Sequence, residues 1–527
     1  MFWALVTVAA VLTFVVYFGY VKPFKYWKDL GVPQGSPWFL LGDVWPTILK
    51  RKDIVQWLEW VYYKHPKSRY MGYYQFLKPM FFVKDPEVIK QLTIKDFDHF
   101  TDHQTFAISE DVEPLWSKNL FSLRGHRWKE MRGVLSGSFT SSKMKIMFEL
   151  IREEAEKFVD YFNEEIQAGV LDLEMKDSFR KYATDVIAST SFGITVNSLK
   201  NPSNEFYRMG KAAINFGGFK TVIKFLGYQF CPWLLTLLKI RFFPAAISNF
   251  FLGIVNETIK EREEKGIVRS DMINILMEVK NGTVKAENKD TPDEGFAVVK
   301  ESLDGNAERR HNIEITNQDI TSQAFIFFFA GFETVSTAMS FTSYELAVNL
   351  DVQEKLRREI GEVYDKSNGK PSYREILEMK YLDMVISESL RKWPPAVVTD
   401  RMCTKPYILK SSGDSIPFKK ADCLVIPTYS IHHDPEYYPD PEKLIPERFS
   451  EENRGKIKPY TYMPFGLGPR ACIGSRFALL EIKMMLFYLL KSFEIVPTSK
   501  TLIPLKFDKS SVVFTPTGGF QLGLKKL

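Results

Sequence analysis

Residues 317–348 place the strongest constraint on how this chain can fold. The run Ala324-Phe-Ile-Phe-Phe-Phe-Ala-Gly-Phe332 is apolar whatever the helical phase. A helix that is hydrophobic all round must be buried, so the rest of the globule has to wrap it. Thr316 is a fitting N-cap, with Asp319 at the third helical position. Gly331, Glu333 and Thr334 lie inside the apolar stretch. A helical Gly costs about 1 kcal/mol against Ala. A buried carboxylate costs more unless it is paired. Three such residues side by side ask for a reason beyond packing.

A second apolar run opens the chain. Residues 1–21 carry no charged side chain. As a helix they span roughly 31 Å, enough to cross a bilayer core. Phe2 and Trp3 at one end and Tyr17 and Tyr20 at the other suit the two interfaces. Lys22, Lys25 and Lys28 follow, and the positive-inside rule then holds the globule on the cytoplasmic side. A cleaved signal peptide has a basic start and a small-residue cleavage site instead. The flanks therefore favour an uncleaved transmembrane signal anchor over 1–21. The sequons at Asn256 and Asn281 then face the wrong compartment for glycosylation. A basic and Pro/Gly hinge over 22–40 includes Gly31-Val-Pro-Gln-Gly-Ser-Pro37, and 41–527 is read as one domain.

Composition excludes more than it selects. Apolar residues make up 45% and charged residues 25%, as in ordinary globular proteins. A net charge of +6 without zinc-finger spacing or an arginine-rich arm gives no footprint for nucleic acid. Cys231, Cys403, Cys423 and Cys472 are too scattered for a disulfide framework, which fits a reducing compartment. The 43 Phe point to a large core or an apolar binding cavity. Residues 142–165 and 251–280 carry helical spacing. Residues 216–251, around Cys231-Pro-Trp233, are apolar enough to be core or a second membrane contact. Residues 281–312 are rich in Lys, Glu, Asp and Gly, and are expected to form a surface loop that buries little.

The chemistry concentrates in Pro464-Phe-Gly-Leu-Gly-Pro-Arg-Ala-Cys-Ile-Gly474, followed by a helical stretch from Ser475. Glycines here permit a tight turn whose amides can point at a sulfur. Such donors and a helix start stabilise a thiolate. Arg470 stands two residues from that sulfur and can hold an anionic group. A lone Cys is usually a small buried hydrophobe, which suits Cys231 and Cys423 and fits Cys472 poorly.

This loop resembles the haem-binding loop of the cytochrome P-450 superfamily, and other motifs follow in the family's order. Trp128-Lys-Glu-Met-Arg132 resembles the helix that contacts a haem propionate. Ala330-Gly-Phe-Glu-Thr334 resembles the oxygen-binding kink of the central helix, departing at Val335. Glu388-Ser-Leu-Arg391 resembles the E-x-x-R pair, whose spacing places both charges on one helix face. Pro446-Glu-Arg-Phe449 resembles the segment whose Arg448 joins that pair. The likeness covers nearly the whole chain and is nearest in character to insect microsomal members that clear foreign compounds.

The resemblance implies a mainly α fold with smaller β sheets, haem b, and a monooxygenase supplied by an NADPH-dependent reductase, with a b-type cytochrome as a further partner. It places the catalytic domain on the cytoplasmic face of the endoplasmic reticulum membrane, attached by a single span. Cys472 is the implied iron ligand, within a loop that includes Phe465 and Gly474. Trp128, Arg132, Arg401 and Arg470 are the implied propionate contacts. Gly331 leaves room for oxygen, Thr334 back-bonds to Ala330 and controls protonation, and Glu333 feeds protons. Phe325, Phe328, Phe329, the 102–121 loop, Val397, Val398, Val513 and Phe514 are expected to wall the substrate space. His126, His311, His432 and His433 are weaker ligand candidates because no C-x-x-C-H attachment motif is present. Lys129, Arg476 and Lys483 are candidates for a reductase-docking face. Two alternatives stay open: hydroxylation of an endogenous steroid, hormone or fatty acid, and a haem sensor without turnover.

Overall fold

The computed structural model describes residues 2–104, 110–214, 219–269, 271–281, 296–298, 314–411, 414–509 and 514–527. In chain order, the elements that build the site are α1 (Phe2–Val16), β1 (Tyr70–Gln75), β2 (Lys78–Val83), α2 (Gly125–Ser136), α3 (Ser141–Glu165), β3 (Val170–Glu174) and α4 (Met175–Ile187). They continue with α5 (Ala245–Lys265), α6 (Asn317–Val348), α7 (Lys380–Lys392), β4 (Thr399–Met402), β5 (Tyr407–Ser411), β6 (Asp414–Phe418) and β7 (Cys423–Ile426). The last three are α8 (Ser475–Ser492), β8 (Phe493–Pro497) and β9 (Gln521–Lys526).

Helix α6 runs over the residues its sequence pattern specifies. Thr316 and Asp319 close a reciprocal capping box at its start. The helix is wrapped by α4, α5, α7 and α8, as an element without a polar face requires. Its Phe325, Phe328 and Phe332 have no exposed surface and pack in a cluster with Phe251 of α5 and Ile187 of α4.

The sheets are small and lie beside the helices. One has the order β1-β2-β7-β4, antiparallel except where β2 runs parallel to β7, with Phe81 opposite Leu424. A second has the order β3-β9-β8, and β5 pairs with β6 as a hairpin. Their inner faces join α3, α6, α7 and α8 in one apolar core.

Helix α1 stands apart from this core. Together with its continuation to Asp29 it forms a helical stretch of 28 residues, long and apolar enough to cross a membrane by length and composition, and only its far end, at Phe24 and Trp27, is buried in the globule. A short helix at Pro232–Leu237 leaves Trp233, Leu237 and Leu238 mostly exposed, with Phe230 ahead of it touching Phe76. Trp38, Phe39 and Leu40 are exposed as well. Their turn is bridged through Gly42 to Gln75, the neighbour of Phe76.

Within the polar 281–312 stretch, Phe296, Ala297 and Val298 pack against the core, Ala297 with only 5% exposure. Apart from these three and residue 281, the stretch expected to be a surface loop lies outside the described residues.

Candidate active site

The Cys472 loop is made by two left-handed glycines. Gly466 and Gly468 take φ values of +75° and +71°. A Cβ at Gly468 would come within 2.1 Å of the Thr93 carbonyl oxygen, so no other residue fits there. The turn closes with the Ala471 amide donating to the Gly468 carbonyl and the Cys472 amide donating to the Phe465 carbonyl. Helix α8 begins at Ser475, with Gly474 as its N-cap.

Cys472 is exposed in surface terms, yet burial pushes its thiol pKa up. Both hold together when the sulfur faces an internal hollow. The Gly474 amide and the charge of Arg132 act against burial and favour the thiolate.

Helix α6 carries the opposite wall. Ala330 and Thr334, one turn apart, are exposed although they sit mid-helix among buried residues. Phe139 links the two walls. Its ring stacks on Phe327 with centroids 5.6 Å apart, and it lies against Gly474. Ile473 packs on the same cluster as Phe327 and Phe329. The face of α6 turned to the cysteine loop is therefore the 327–330–334 stripe.

This geometry corrects part of the expected wall. Phe325 and Phe328 point to the other side, and Phe328 fills the space against Gly210. Phe514 is also core, stacked between Phe341 and Phe507. Phe329 is partly buried against Trp116, and Val397 and Val398 are partly buried at the core's edge. Val513 and residues 105–109 of the 102–121 loop lie outside the described residues. Gly331 is corrected in a different way. A Cβ there would reach within 2.7 Å of Ile187 Cδ1, so the glycine admits α4 rather than leaving open space.

Thr334 Oγ1 donates to the Ala330 carbonyl at 2.7 Å. Glu333 turns away toward α4, where Arg180 grips both its oxygens and Lys176 Nζ lies 2.7 Å from it.

Three guanidiniums gather beside the loop. Arg132 Nη1 donates to the Ala471 carbonyl at 2.9 Å. Arg470 spreads over the Trp128 ring at 4.0 Å and donates to the carbonyls of Thr101 and Leu123 and to Asp102. Arg401, 1% exposed, donates to the carbonyls of Asp400 and Leu467 but leaves Nε without a partner. Burial, aided by Arg401 and Arg132, lowers the Arg470 pKa to about 9, and burial lowers that of Arg401 to about 10. Of the nearby carboxylates, Asp400 is already bonded to His103 and the Gln104 amide. A buried surplus of positive charge with an unfilled donor is costly by itself. It fits a group that brings its own carboxylates, and the adjacent sulfur fits a metal at that group's centre, so the residues present suit haem.

The other candidates fall out on geometry. His432 accepts from the Met463 amide and bonds the Arg391 carbonyl, so both ring nitrogens are used. Burial and Arg391 hold its pKa down to about 3, which keeps it neutral. His433 bonds the Tyr429 carbonyl and packs on the Tyr429 ring. His126 is exposed beside Glu130, and His311 lies outside the described residues. Lys483 is buried and paired with Asp383, which corrects its place on a solvent-facing docking surface, while Lys129 is exposed.

Away from the hollow, Glu388 and Arg391 form a pair with no exposed surface, bonded at 2.8 and 2.9 Å. Arg448 Nε joins at 3.3 Å.

The sequence matches the family described as cytochrome P450 over residues 33–524. Curated relatives span nearly the same length. The chain is 45% identical to "Cytochrome P450 9e2" of Blattella germanica, over 92% of this chain and 91% of the relative. It is 40% identical to "Probable cytochrome P450 9f2" of Drosophila melanogaster, over 95% and 94%. It is 38% identical to "Cytochrome P450 6k1" of Blattella germanica, over 98% and 96%.

Proposed function

Since the chain belongs to the cytochrome P450 family of haem-b monooxygenases, we propose that it inserts one oxygen atom of O2 into hydrophobic foreign compounds, such as plant toxins or insecticides, with Cys472 as the protein ligand to iron. One combination supports this reading: Cys472 and, on α6, Ala330 and Thr334 are exposed among buried residues, and buried guanidiniums with an unfilled donor stand beside the cysteine loop. The substrate class rests on the resemblance to insect microsomal members, and the relatives named above are insect proteins.

When bound, haem supplies oxygen activation, and a thiolate ligand favours O–O cleavage by donating electron density. The chain supplies the rest. Burial raises the Cys472 pKa, and the Gly474 amide, the charge of Arg132 and the start of α8 act against that and favour the thiolate as an iron ligand. Arg132 and Arg401 would hold the propionates, with Arg401 Nε as the unfilled donor, and Arg470 would join them by exchanging one of its contacts to Thr101, Leu120, Phe121, Asp102 or Leu123. Trp128 keeps the Arg470 fork in plane by stacking. Thr334 spends its proton on Ala330, which leaves its oxygen free to accept from water in the hollow. Glu333 passes protons toward that water only on letting go of Arg180 or Lys176. Phe327 and Ala330 give the substrate an apolar wall on α6.

Electrons come from an NADPH-dependent reductase in the same membrane, with a b-type cytochrome as a second donor. We place α1 across the endoplasmic reticulum membrane, with the globule in the cytoplasm. The exposed Trp38–Leu40 and Phe230–Leu238 groups make a second, shallow contact. Deleting residues 1–21 should therefore weaken vesicle flotation without abolishing it. A fully soluble truncation would remove the second contact.

A screen for substrate-induced Soret shifts with reductase-supported turnover tests the function. Foreign compounds should both shift the spectrum and be oxidised. Turnover confined to steroids, hormones or fatty acids would favour the endogenous reading. Shifts without product would favour a sensor.

A further inference from the structure

His103 stands beside the open arginine cluster. Backbone pairing brings it there, because Asp102 and Met402 form an antiparallel bridge that lays residues 101–104 along β4. His103 Nδ1 lies 3.0 Å from Asp400 Oδ1. The other Asp400 oxygen accepts from the Gln104 amide, which fixes the carboxylate. The imidazole stacks on the Phe121 ring, with centroids 4.6 Å apart and planes 16° from parallel. Phe121 is exposed and meets Trp116, which in turn meets Phe329 of α6. Arg401 and Arg470 both act on the imidazole through their charge. The residue keeps 8% of its surface open, and its Nε2 has no partner among the described residues.

The charges around that nitrogen do not close without it. Arg132, Arg401 and Arg470 face Asp102 and Asp400, which leaves one positive charge over. Ferric iron, the porphyrin dianion and the Cys472 thiolate cancel among themselves. The two propionates of haem b then leave the cluster one cation short, and a buried charge without a partner is costly. Tyr73 and Cys423 also face Asp400, but burial pushes both pKa values up, so neither adds a charge.

His103 can supply the missing cation. A neutral imidazole that donates from Nδ1 to Asp400 presents a lone pair at Nε2, which repels a carboxylate. An imidazolium donates from both nitrogens and bridges two carboxylates. Without haem, burial, with Arg401 and Arg470, holds the His103 pKa below its ordinary value despite Asp400. A second carboxylate acts the other way and favours the charged ring. We propose that His103, set in place by Asp400, is a fourth contact to the haem propionates and takes up one proton from solvent when haem is bound. The inference rests on the propionate assignment of Arg401 above.

The test is haem loss from the full-length holoprotein to excess apomyoglobin, for the parent and for His103→Gln, from mildly acid to mildly alkaline pH. A proton gained in the haem-bound state strengthens binding below the pKa of His103 in the haem-free protein. That gain is lost as pH rises through the pKa of the bound state. The variant should therefore lose haem roughly tenfold faster than the parent in mild acid. The ratio should shrink toward one as pH rises. A ratio that stays the same at every pH would show a packing role only, and equal rates throughout would exclude the contact; either result overturns the proposal. Arg401→Met separates this inference from its premise. Normal haem retention there would put the propionates elsewhere, whereas normal retention in His103→Gln alone removes only His103. Should His103→Gln hold no haem, the propionate bending band in the resonance Raman spectrum of the parent decides. It should shift as pH rises through the imidazole range, and a band that stays fixed would overturn the proposal.

Discussion

Among the described residues, the buried arginines around Glu388 and those beside Cys472 are finished to different degrees. Around Glu388, charge and hydrogen bonds close on themselves. Arg391 spends its nitrogens on Glu388 and on the carbonyls of His432 and Pro441. Glu388 also accepts from the Ile445 amide and Arg448. Beside Cys472, Arg132, Arg401 and Arg470 outnumber the nearby carboxylates, and Arg401 keeps an unpartnered Nε. A closed cluster serves the fold, because a buried charge without its partner is severely destabilising. An open cluster tolerates its own cost only if something else completes it.

The largest effect should follow from opening the closed cluster. Glu388→Gln or Arg391→Ala leaves a buried charge without its partner and should cost roughly 3–5 kcal/mol. Expression trials should recover little folded, haem-containing protein. Normal haem content in either variant would remove the distinction between the clusters.

Arg401→Met should act in the opposite sense on the haem-free protein. It removes a buried cation whose pKa burial already depresses to about 10. The melting temperature of the haem-free form should therefore hold or rise. Haem retention should fall roughly 10- to 100-fold, the worth of about 1.5–3 kcal/mol for hydrogen bonds to a charged group. Haem transfer to apomyoglobin measures the loss. A destabilised haem-free form with normal haem retention would make this cluster structural too.

Thr334→Ala touches neither cluster and should have the smallest effect on structure. Haem content and melting temperature should stay at the parent values. With reductase present, NADPH use should continue while product falls several-fold and hydrogen peroxide rises, because the group that steadies protons in the hollow is gone. Unchanged product per NADPH would exclude that role for Thr334.

What could be read from the sequence was local. Thr316 and Asp319 marked the start of α6, because a cap is a contact between near neighbours. The resemblance singled out Glu388 and Arg391, and helical spacing put both charges on one face, where they pair. Gly466 and Gly468 announced the turn at Cys472. The substrate wall was misread because a helix apolar on all sides does not say which face is open. Phe325 and Phe328 are the same residue type as Phe327, and only tertiary packing separates them. Gly331 was read as space, yet Ile187, far away in sequence, fills it. Arg470 was read from its nearness to Cys472, while its anchors come from Thr101, Asp102 and Leu123. Phe296–Val298 went unnoticed because three apolar residues in a polar stretch carry no periodicity.

The central claim is that Cys472 binds the iron as a thiolate, and the reduced carbon monoxide difference spectrum of Cys472→Ser tests it most directly. The substitution keeps the size of the side chain and the Gly466–Gly468 turn, so the protein should still fold. The parent protein should show the far-red Soret band of a thiolate-ligated haem, and the variant should lose it. A variant that keeps the band would show that another residue holds the iron, and the assignment of the loop would fail.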